Sequence, residues 1–234
     1  MMELIYIVIA ALLPVVLLFG YICKKDSEQP EPTGWLMKAF FYGILSTFLS
    51  FCFSTPLCAI FGTEVANEQY SSVFDAFADA FCSAAIPEEL AKLIMLWLLL
   101  KKNPHFDEQF DGIVYAVCVG LGFAGLENVL YLFESDDWVS LGITRAMFSV
   151  PGHMLFGVLM GYYYSVYHFD VNRSFVTKLM ILLAPITAHG IYDGLLFSMS
   201  VDDGLAAILM LLFCFFCYKL MKKGKSRIKE LQGK

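Results

Sequence analysis

Two adjacent carboxylates and a lysine stand inside a stretch of the chain that is otherwise almost entirely apolar. Glu88, Glu89 and Lys92 follow the small and apolar residues of 74–86 and precede the hydrophobic run 93–100. A charged side chain at bilayer depth costs about 2.5–3.5 kcal/mol on insertion scales, and such residues usually face a bundle interior and serve chemistry or transport. Because Glu88 and Lys92 are four residues apart, they share a helix face, and the ammonium can neutralise a carboxylate. The three charges therefore indicate a functional site.

Five further ionisable residues lie well inside other apolar stretches, and their types are those of hydrolytic sites. They are Glu127, Arg145, His153, His189 and Asp193. Two histidines and a glutamate match the ligand set of catalytic zinc sites, which keep one position for water. A remaining carboxylate can act as general base on that water, and Lys or Arg can stabilise a developing oxyanion. Asp193, four residues after His189, can hold its imidazole tautomer.

Prolines precede three of these groups. Pro87 stands before Glu88, Pro151 before His153 and Pro185 before His189. A proline within a span frees a backbone carbonyl and bends the helix, which can open a water-filled cavity. We therefore expect the polar groups to line one shared pocket.

The elements that position these groups are predicted to be membrane-spanning helices. The chain of 234 residues is 59% hydrophobic and 16% charged, with a mean hydropathy of +0.67, which is typical of an all-α polytopic membrane protein. About seven apolar runs can cross a hydrocarbon core of about 30 Å. They fall near 3–23, 36–61, 74–100, 112–133, 142–167, 175–199 and 204–221. We expect a single integral membrane domain, 1–234, whose motif-bearing core is about 74–199.

Loop charges predict the orientation of the spans. Fourteen of the 16 Lys and Arg residues lie in or beside 24–38, 101–102, 173–178 and 219–234, at alternate ends of the predicted spans. The other connections carry only acidic charges: Glu64, Glu68, Glu134, Asp136, Asp137, Asp202 and Asp203. The positive-inside rule then places the N-terminus outside and the C-terminus inside. Lys92 and Arg145 are the two basic residues that topology does not explain. The net charge of −6 gives no indication of nucleic-acid binding.

The depth of the polar groups can be estimated from this topology. Counted from the predicted outer ends of their spans, His153, His189 and Asp193 lie within about eleven residues. Glu127 is also near an outer end, and Lys92 is the deepest of the set. We expect the groups to meet in the outer half of the bilayer.

The motifs occur in an order that resembles the PrsW intramembrane proteases. That family carries E-E-x-x-K, F-x-x-x-E, an R-to-H motif and H-x-x-x-D on successive helices. The matching residues here are Glu88, Glu89 and Lys92, then Phe123 and Glu127, then Arg145 and His153, then His189 and Asp193. The family is similar in arrangement to type II CAAX prenyl proteases and to the APH subunit of gamma-secretase.

The resemblance implies a multi-pass hydrolase of the bacterial plasma membrane, of the glutamate and metal type. It implies a first cut, on the external side, in a single-span anti-sigma factor during envelope stress or antimicrobial-peptide response. Glu88 and Glu89 become catalytic carboxylates, with Glu127, Lys92 and Arg145 beside them in the catalytic set. A divalent metal, zinc in the first place, is expected on the group Glu127, His153, His189 and Asp193. Whether a metal is obligatory, and which carboxylate is the base, stays open.

Three other functions remain alternatives at this point. A non-catalytic membrane scaffold would keep the histidines for structure, although paired glutamates favour an enzyme. A proton-coupled transporter would use the same Glu and His residues, but it would be expected to show inverted repeats. A prenyl endopeptidase normally shows E-E-x-x-x-R and F-x-x-x-H, whereas this chain has Lys92 and Glu127.

Overall fold

The computed structural model describes residues 2–63 and 70–233, and every regular element in those ranges is helical. The elements are α1 (Met2–Lys25), α2 (Thr33–Phe61), α3 (Val73–Asp79), α4 (Ile86–Leu100), α5 (Gln109–Glu134), α6 (Trp138–Thr144), α7 (Val150–Phe169), α8 (Phe175–Ser198) and α9 (Asp203–Leu231). Two π-helical turns, Ala80–Ala85 and Arg145–Ser149, join α3 to α4 and α6 to α7. The predicted all-α membrane fold is confirmed.

Six helical stretches are long and apolar enough to cross a membrane within the described ranges. They are α1, α2, α5, the continuous run Trp138–Phe169, α8 and α9, and they correspond to six of the seven predicted spans. The seventh, 74–100, is helical as the α3–π–α4 run, but its charged residues set it apart from the other six. The total of seven and the orientation stay predictions. Glu64 and Glu68 lie outside the described residues.

Helix α5 forms the centre of the bundle. Its residues 110–125 are all buried, and it packs against α1, α2 and α7. Helices α1 and α9, by contrast, expose many large apolar side chains, as expected for helices that face lipid. The site residues on α4, α7 and α8 are therefore arranged around a central helix that carries Glu127 near its C-terminal end.

Glycines allow α2 to approach α5 at backbone distance. A Cβ atom on Gly43 would lie 2.0 Å from the Val119 carbonyl oxygen, and one on Gly122 would lie 2.0 Å from the Phe40 carbonyl oxygen. Neither position has room for a side chain. Small residues at membrane helix interfaces permit this close packing, which fixes α5 against α2.

Each π-helical turn is followed, after one residue, by a proline in the next helix. The Ile86 N–H donates to the Phe81 carbonyl and the Val150 N–H to the Arg145 carbonyl, five residues back in each case. Pro87 and Pro151 come next in the chain. A proline ring clashes with the carbonyl four residues back and lacks its own N–H, and the wider π turn relieves that clash. The sequence predicts a bend at these prolines but not its π-helical form.

Candidate active site

Eight ionisable side chains from four parts of the bundle form one connected network. Helix α4 supplies Glu88, Glu89 and Lys92, α5 supplies Glu127, the second π turn and α7 supply Arg145 and His153, and α8 supplies His189 and Asp193. The network contains every site residue predicted from the sequence. The structure thus brings these residues into one cluster, while a shared pocket and the role of each residue stay predictions.

Lys92 lies at the middle of this network. Its Nζ is 3.1 Å from Glu88 Oε2 and 2.9 Å from Glu89 Oε1, which confirms the predicted contact one turn along α4. The same nitrogen is 3.1 Å from His153 Nδ1 on α7. It also lies 3.9 Å above the centroid of the Phe123 ring, whose face attracts a cation. Lys92 thus neutralises two buried carboxylates and links α4 to α5 and α7.

Glu127 brings the arginine and one histidine together. Its Oε2 accepts a hydrogen bond from Arg145 Nη2 at 2.5 Å and lies 2.9 Å from His153 Nε2. The His153 imidazole therefore has Lys92 at one ring nitrogen and Glu127 at the other. This arrangement fixes the orientation of the ring between a cation and a carboxylate.

Two neighbours of Glu127 hold Arg145 in place, and neither is among the site residues predicted from the sequence. Arg145 Nε donates to Asn128 Oδ1 at 2.6 Å, and the guanidinium carbon lies 4.2 Å from the centroid of the Tyr131 ring. Asn128 Nδ2 in turn donates to the Ala11 carbonyl at 3.2 Å, which ties the cluster to α1. The only signal in the sequence is position, because Asn128 adjoins Glu127 and Tyr131 follows it by one helical turn.

His189 is held by carboxylates at both ring nitrogens. Nδ1 lies 3.0 Å from Glu89 Oε1, and Nε2 lies 2.9 Å from Asp193 Oδ2, as the four-residue spacing predicts. The imidazole also stacks on Phe156, with ring centroids 4.6 Å apart. Its plane is therefore set by α4, α7 and α8 together.

The carboxylates differ in how far they are enclosed. The Glu89 side chain is 0% exposed, whereas those of Glu88, Glu127 and Asp193 are 13–16% exposed. Within residues 2–63 and 70–233, Glu89 Oε2 has no hydrogen-bond partner. Glu88, Glu127 and Asp193 thus keep a small accessible surface, whereas Glu89 is fully enclosed.

The cluster also contains a group suited to a metal ion. One ligand atom each of Glu88, His153 and His189 lies within 4.8 Å of the other two. Two imidazoles and a carboxylate are the donor set of several catalytic zinc sites, so these residue types suit such an ion, which would replace one present partner of each imidazole. Of the expected group, His153 and His189 belong to this set. Glu127 instead contacts Nε2 of His153, and Asp193 contacts Nε2 of His189. Carboxylates in this position commonly orient a metal ligand.

Comparison with known proteins places this geometry in a family. The chain matches the family described as PrsW family intramembrane metalloprotease over residues 31–220, which includes all eight residues of the network. Proteins named Protease PrsW are similar over nearly their whole length. That of Geobacillus kaustophilus is 33% identical, covering 92% of this chain and 91% of its own. That of Bacillus subtilis is 32% identical, with coverage of 94% and 96%.

A third relative, the Protease PrsW of Clostridioides difficile, is 31% identical and covers 90% of this chain and 86% of its own. No solved structure is significantly similar to the chain. The family match spans well over half of the sequence, and it agrees with the network of carboxylates and histidines between the helices. The chain therefore belongs to the PrsW family and is an intramembrane protease, a multi-pass protein of the bacterial cell membrane.

Proposed function

We propose that this protease hydrolyses a peptide bond in the membrane segment of a single-span regulatory protein of the anti-sigma factor type. The cut is the first in a response to envelope stress or antimicrobial peptides, and it falls on the external side. Hydrolysis is supported by one observation: ligand atoms of Glu88, His153 and His189, which come from three different helices, lie within 4.8 Å of one another. The external side follows from the predicted topology, which places the cluster in the outer half of the bilayer.

A divalent metal, zinc in the first place, fits the group Glu88, His153 and His189. Such an ion supplies Lewis acidity, which activates water and polarises a peptide carbonyl. Lys92 brings its own positive charge to the same cluster, because its Nζ contacts both Glu88 and His153. The proposed catalytic type is the glutamate and metal class, in which Lys92 would neutralise Glu88 beside the ion.

Two carboxylates can handle the proton of the attacking water: Glu127 where Glu88 holds the metal, and Glu88 where the mechanism uses carboxylates alone. Both are partly exposed, and each lies close to a histidine: Glu88 Oε2 is 3.9 Å from His189 Nε2, and Glu127 Oε2 is 2.9 Å from His153 Nε2. As the water oxygen attacks the carbonyl carbon, one carboxylate takes the proton and then gives it to the leaving amine nitrogen.

The remaining charged groups position the reacting ones. Glu89 and Asp193 hold the two nitrogens of His189, so they fix the direction of that ring. Lys92 and Arg145 orient the carboxylates and supply positive charge toward the developing oxyanion. A site enclosed by helices excludes bulk water, and that strengthens each of these electrostatic interactions.

Site mapping in liposomes tests the proposed reaction. The purified protein is incubated with a single-span anti-sigma-type substrate, and the fragments are identified by mass spectrometry. We expect one cut in the outer half of the substrate span, loss of the cut in the double variant Glu88→Gln with Glu89→Gln, and retention in Glu134→Gln, an exposed glutamate on the same side. Wild-type cleavage by the double variant, or a cut at the cytoplasmic end, would contradict the proposal.

Metal analysis tests the cofactor independently of the substrate. We expect a bound divalent metal in the purified protein, its loss in His153→Ala and in His189→Ala, and its retention in His105→Ala, which lies on an exposed connection. Removal of the metal by a chelator should stop cleavage. Full cleavage by a metal-free sample would instead indicate a mechanism based on carboxylates alone.

A further inference from the structure

A second group of carboxylates lies at the other end of α5 from Glu127. Asp26 follows α1 directly, Glu108 precedes α5 and Asp111 lies in the first turn of α5. One carboxylate oxygen of each lies within 4.8 Å of the other two. Asp111 and Glu127 are 16 residues apart on one helix, or about 24 Å at the helical rise. This group is therefore separate from the active site.

Two of these carboxylates are buried and keep one oxygen without a partner. Asp26 Oδ2 accepts from the Glu31 backbone N–H at 2.9 Å, and Asp111 Oδ2 accepts from the Glu108 N–H at 2.8 Å. In the ranges 2–63 and 70–233, no group donates to Asp26 Oδ1 or to Asp111 Oδ1. The two residues are 3% and 0% exposed. Because buried polar atoms are nearly always paired, each of these oxygens needs a partner, either a proton shared between neighbouring carboxyl groups or a bound cation.

Negative charge is in excess around this group. Glu31 adds a fourth carboxylate, whose Oε2 accepts a hydrogen bond from the Tyr115 hydroxyl. Burial, together with the charges of Glu31 and Glu108, raises the pKa of Asp26 to about 6. The positive end of the α5 dipole is worth only about half an elementary charge. It cannot balance this many carboxylates.

A small cavity opens beside the carboxylates. Its volume is about 80 Å³, and Asp26 and Glu108 line it together with Lys25, Glu28, Gln29 and Gln232. A water molecule in the liquid takes about 30 Å³, so the cavity has room for an ion with one or two of its waters. Lys25 is the basic side chain among these lining residues, and its ammonium is the competing source of positive charge.

We propose that Asp26, Glu108 and Asp111 bind one hard divalent cation, Mg²⁺ or Ca²⁺. The ligands are all carboxylate oxygens, which these ions prefer. The absence of imidazole from the three ligands disfavours zinc, which the two histidines of the active site suit better. The chain would thus carry two cation sites of different chemistry at opposite ends of α5.

The cation would fasten the α1–α2 connection to the start of the central helix. Gln232, just after α9, donates from Nε2 to the Lys25 carbonyl at 2.5 Å, so the end of α9 meets the same place. This corner is where the chain segments on the side predicted to be cytoplasmic come together. Binding there would stabilise the closed bundle without touching the reacting groups.

Cation titration of the full-length protein tests the proposal. The purified protein in detergent is stripped with a chelator, and MgCl₂ or CaCl₂ is added in separate titrations, read by calorimetry and by the thermal unfolding midpoint. We expect saturable one-to-one binding of at least one ion at or below about 10⁻³ M, with a rise in the midpoint. Asp26→Asn and Asp111→Asn, which keep a carbonyl acceptor for the backbone bonds, should weaken binding by about tenfold or more.

Matched variants separate this site from its alternatives. Asp107→Asn removes the same charge from an exposed neighbour and should bind as the wild type does, and so should His189→Ala, which alters only the active site. If either aspartate variant does not fold, Glu108→Gln replaces it. The proposal is overturned if neither ion binds the wild type, if Asp26→Asn or Glu108→Gln binds normally, or if His189→Ala abolishes binding. If neither ion binds the wild type and Lys25→Ala lowers the unfolding midpoint, the Lys25 ammonium balances the charge of the carboxylates instead.

Discussion

Glu88 and Glu89 are neighbours in the chain but lie in different surroundings. Successive residues of an α-helix are about 100° apart around its axis, so one faces the accessible side of the cluster and the other the packed interior. Glu88 is partly exposed, whereas Glu89 is fully enclosed between Lys92 and His189. Their roles should therefore differ, although both belong to the same motif.

Replacing each glutamate by glutamine should separate these roles. Glu89→Gln leaves Lys92 with less compensation in a buried place, and we expect it to destabilise folding by about 3 kcal/mol, the low end for a broken buried pair. Glu88→Gln should cost less, because that side chain retains access to water. Thermal unfolding in detergent measures both, with Glu134→Gln as the exposed control. An equal or larger loss for Glu88→Gln would contradict this division.

Arg145 should not be replaceable by lysine. Its guanidinium contacts Glu127 and Asn128 through different nitrogens, and a lysine ammonium cannot reproduce that fork. We expect Arg145→Lys to lower kcat/KM by about tenfold or more, equivalent to about 1.4 kcal/mol. Arg173→Lys, on the exposed connection before α8, serves as the control. Wild-type kcat/KM in Arg145→Lys would show that a point charge is sufficient.

Contacts within one helix could be predicted from the sequence, and contacts between helices could not. The Glu88–Lys92 and His189–Asp193 contacts follow from the helical period alone. The contact of Lys92 with His153 joins residues 61 apart in the chain, and it depends on how α4 packs against α7. The contacts of Asn128 with Arg145 and with the Ala11 carbonyl also depend on helix packing, so its position along α5 could not predict them.

At the scale of elements, the two π-helical turns determine which side chains of the motifs face the active site. A π turn holds an extra residue, so it shifts the register of everything after it relative to an uninterrupted helix. Periodicity alone therefore cannot say which side chains face the site beyond Ala80–Ala85 or Arg145–Ser149. The prolines at 87 and 151 mark both places in the sequence. Their effect on register becomes visible only in the structure.

The close approach of α2 to α5 should require Gly43. Gly43→Ala would put a methyl group 2.0 Å from the Val119 carbonyl oxygen, and we expect it to destabilise folding by about 1–3 kcal/mol through overpacking. Gly34→Ala, in the same helix, meets nothing within 4 Å and should be neutral or slightly stabilising. Thermal unfolding of the two variants measures the difference. Equal midpoints would mean that α2 and α5 are not in backbone contact.

At the scale of the whole molecule, composition is enough to predict an all-α membrane protein, and loop charges predict its orientation. The run 74–100 is the least regular of the predicted spans because the residues that make it functional also make it polar. Apolar length alone therefore identifies six crossings within the described ranges. The odd number of crossings depends on this one segment.

Reporter fusions test the orientation and the number of crossings together. Alkaline phosphatase, which folds only outside the cytoplasm, should be active when fused after Asp137, in the connection between α5 and α6. It should be inactive when fused after Asn103, between α4 and α5, because the adjoining Lys101 and Lys102 are predicted to stay inside. Activity of the Asn103 fusion with silence of the Asp137 fusion would mean either that the topology is inverted or that the run 74–100 does not cross the membrane.

The cleavage rate of folding-matched variants tests the central claim most directly, namely that Glu88, His153 and His189 form one hydrolytic site. Wild type, Glu88→Gln, His189→Ala and the control Glu134→Gln are reconstituted at equal amounts, and cleavage of the same single-span substrate is timed. We expect Glu88→Gln and His189→Ala each to lose at least about 10²-fold in rate, with no further loss when these two substitutions are combined, because the groups act as a unit. Cleavage at the wild-type rate by either single variant would contradict the account.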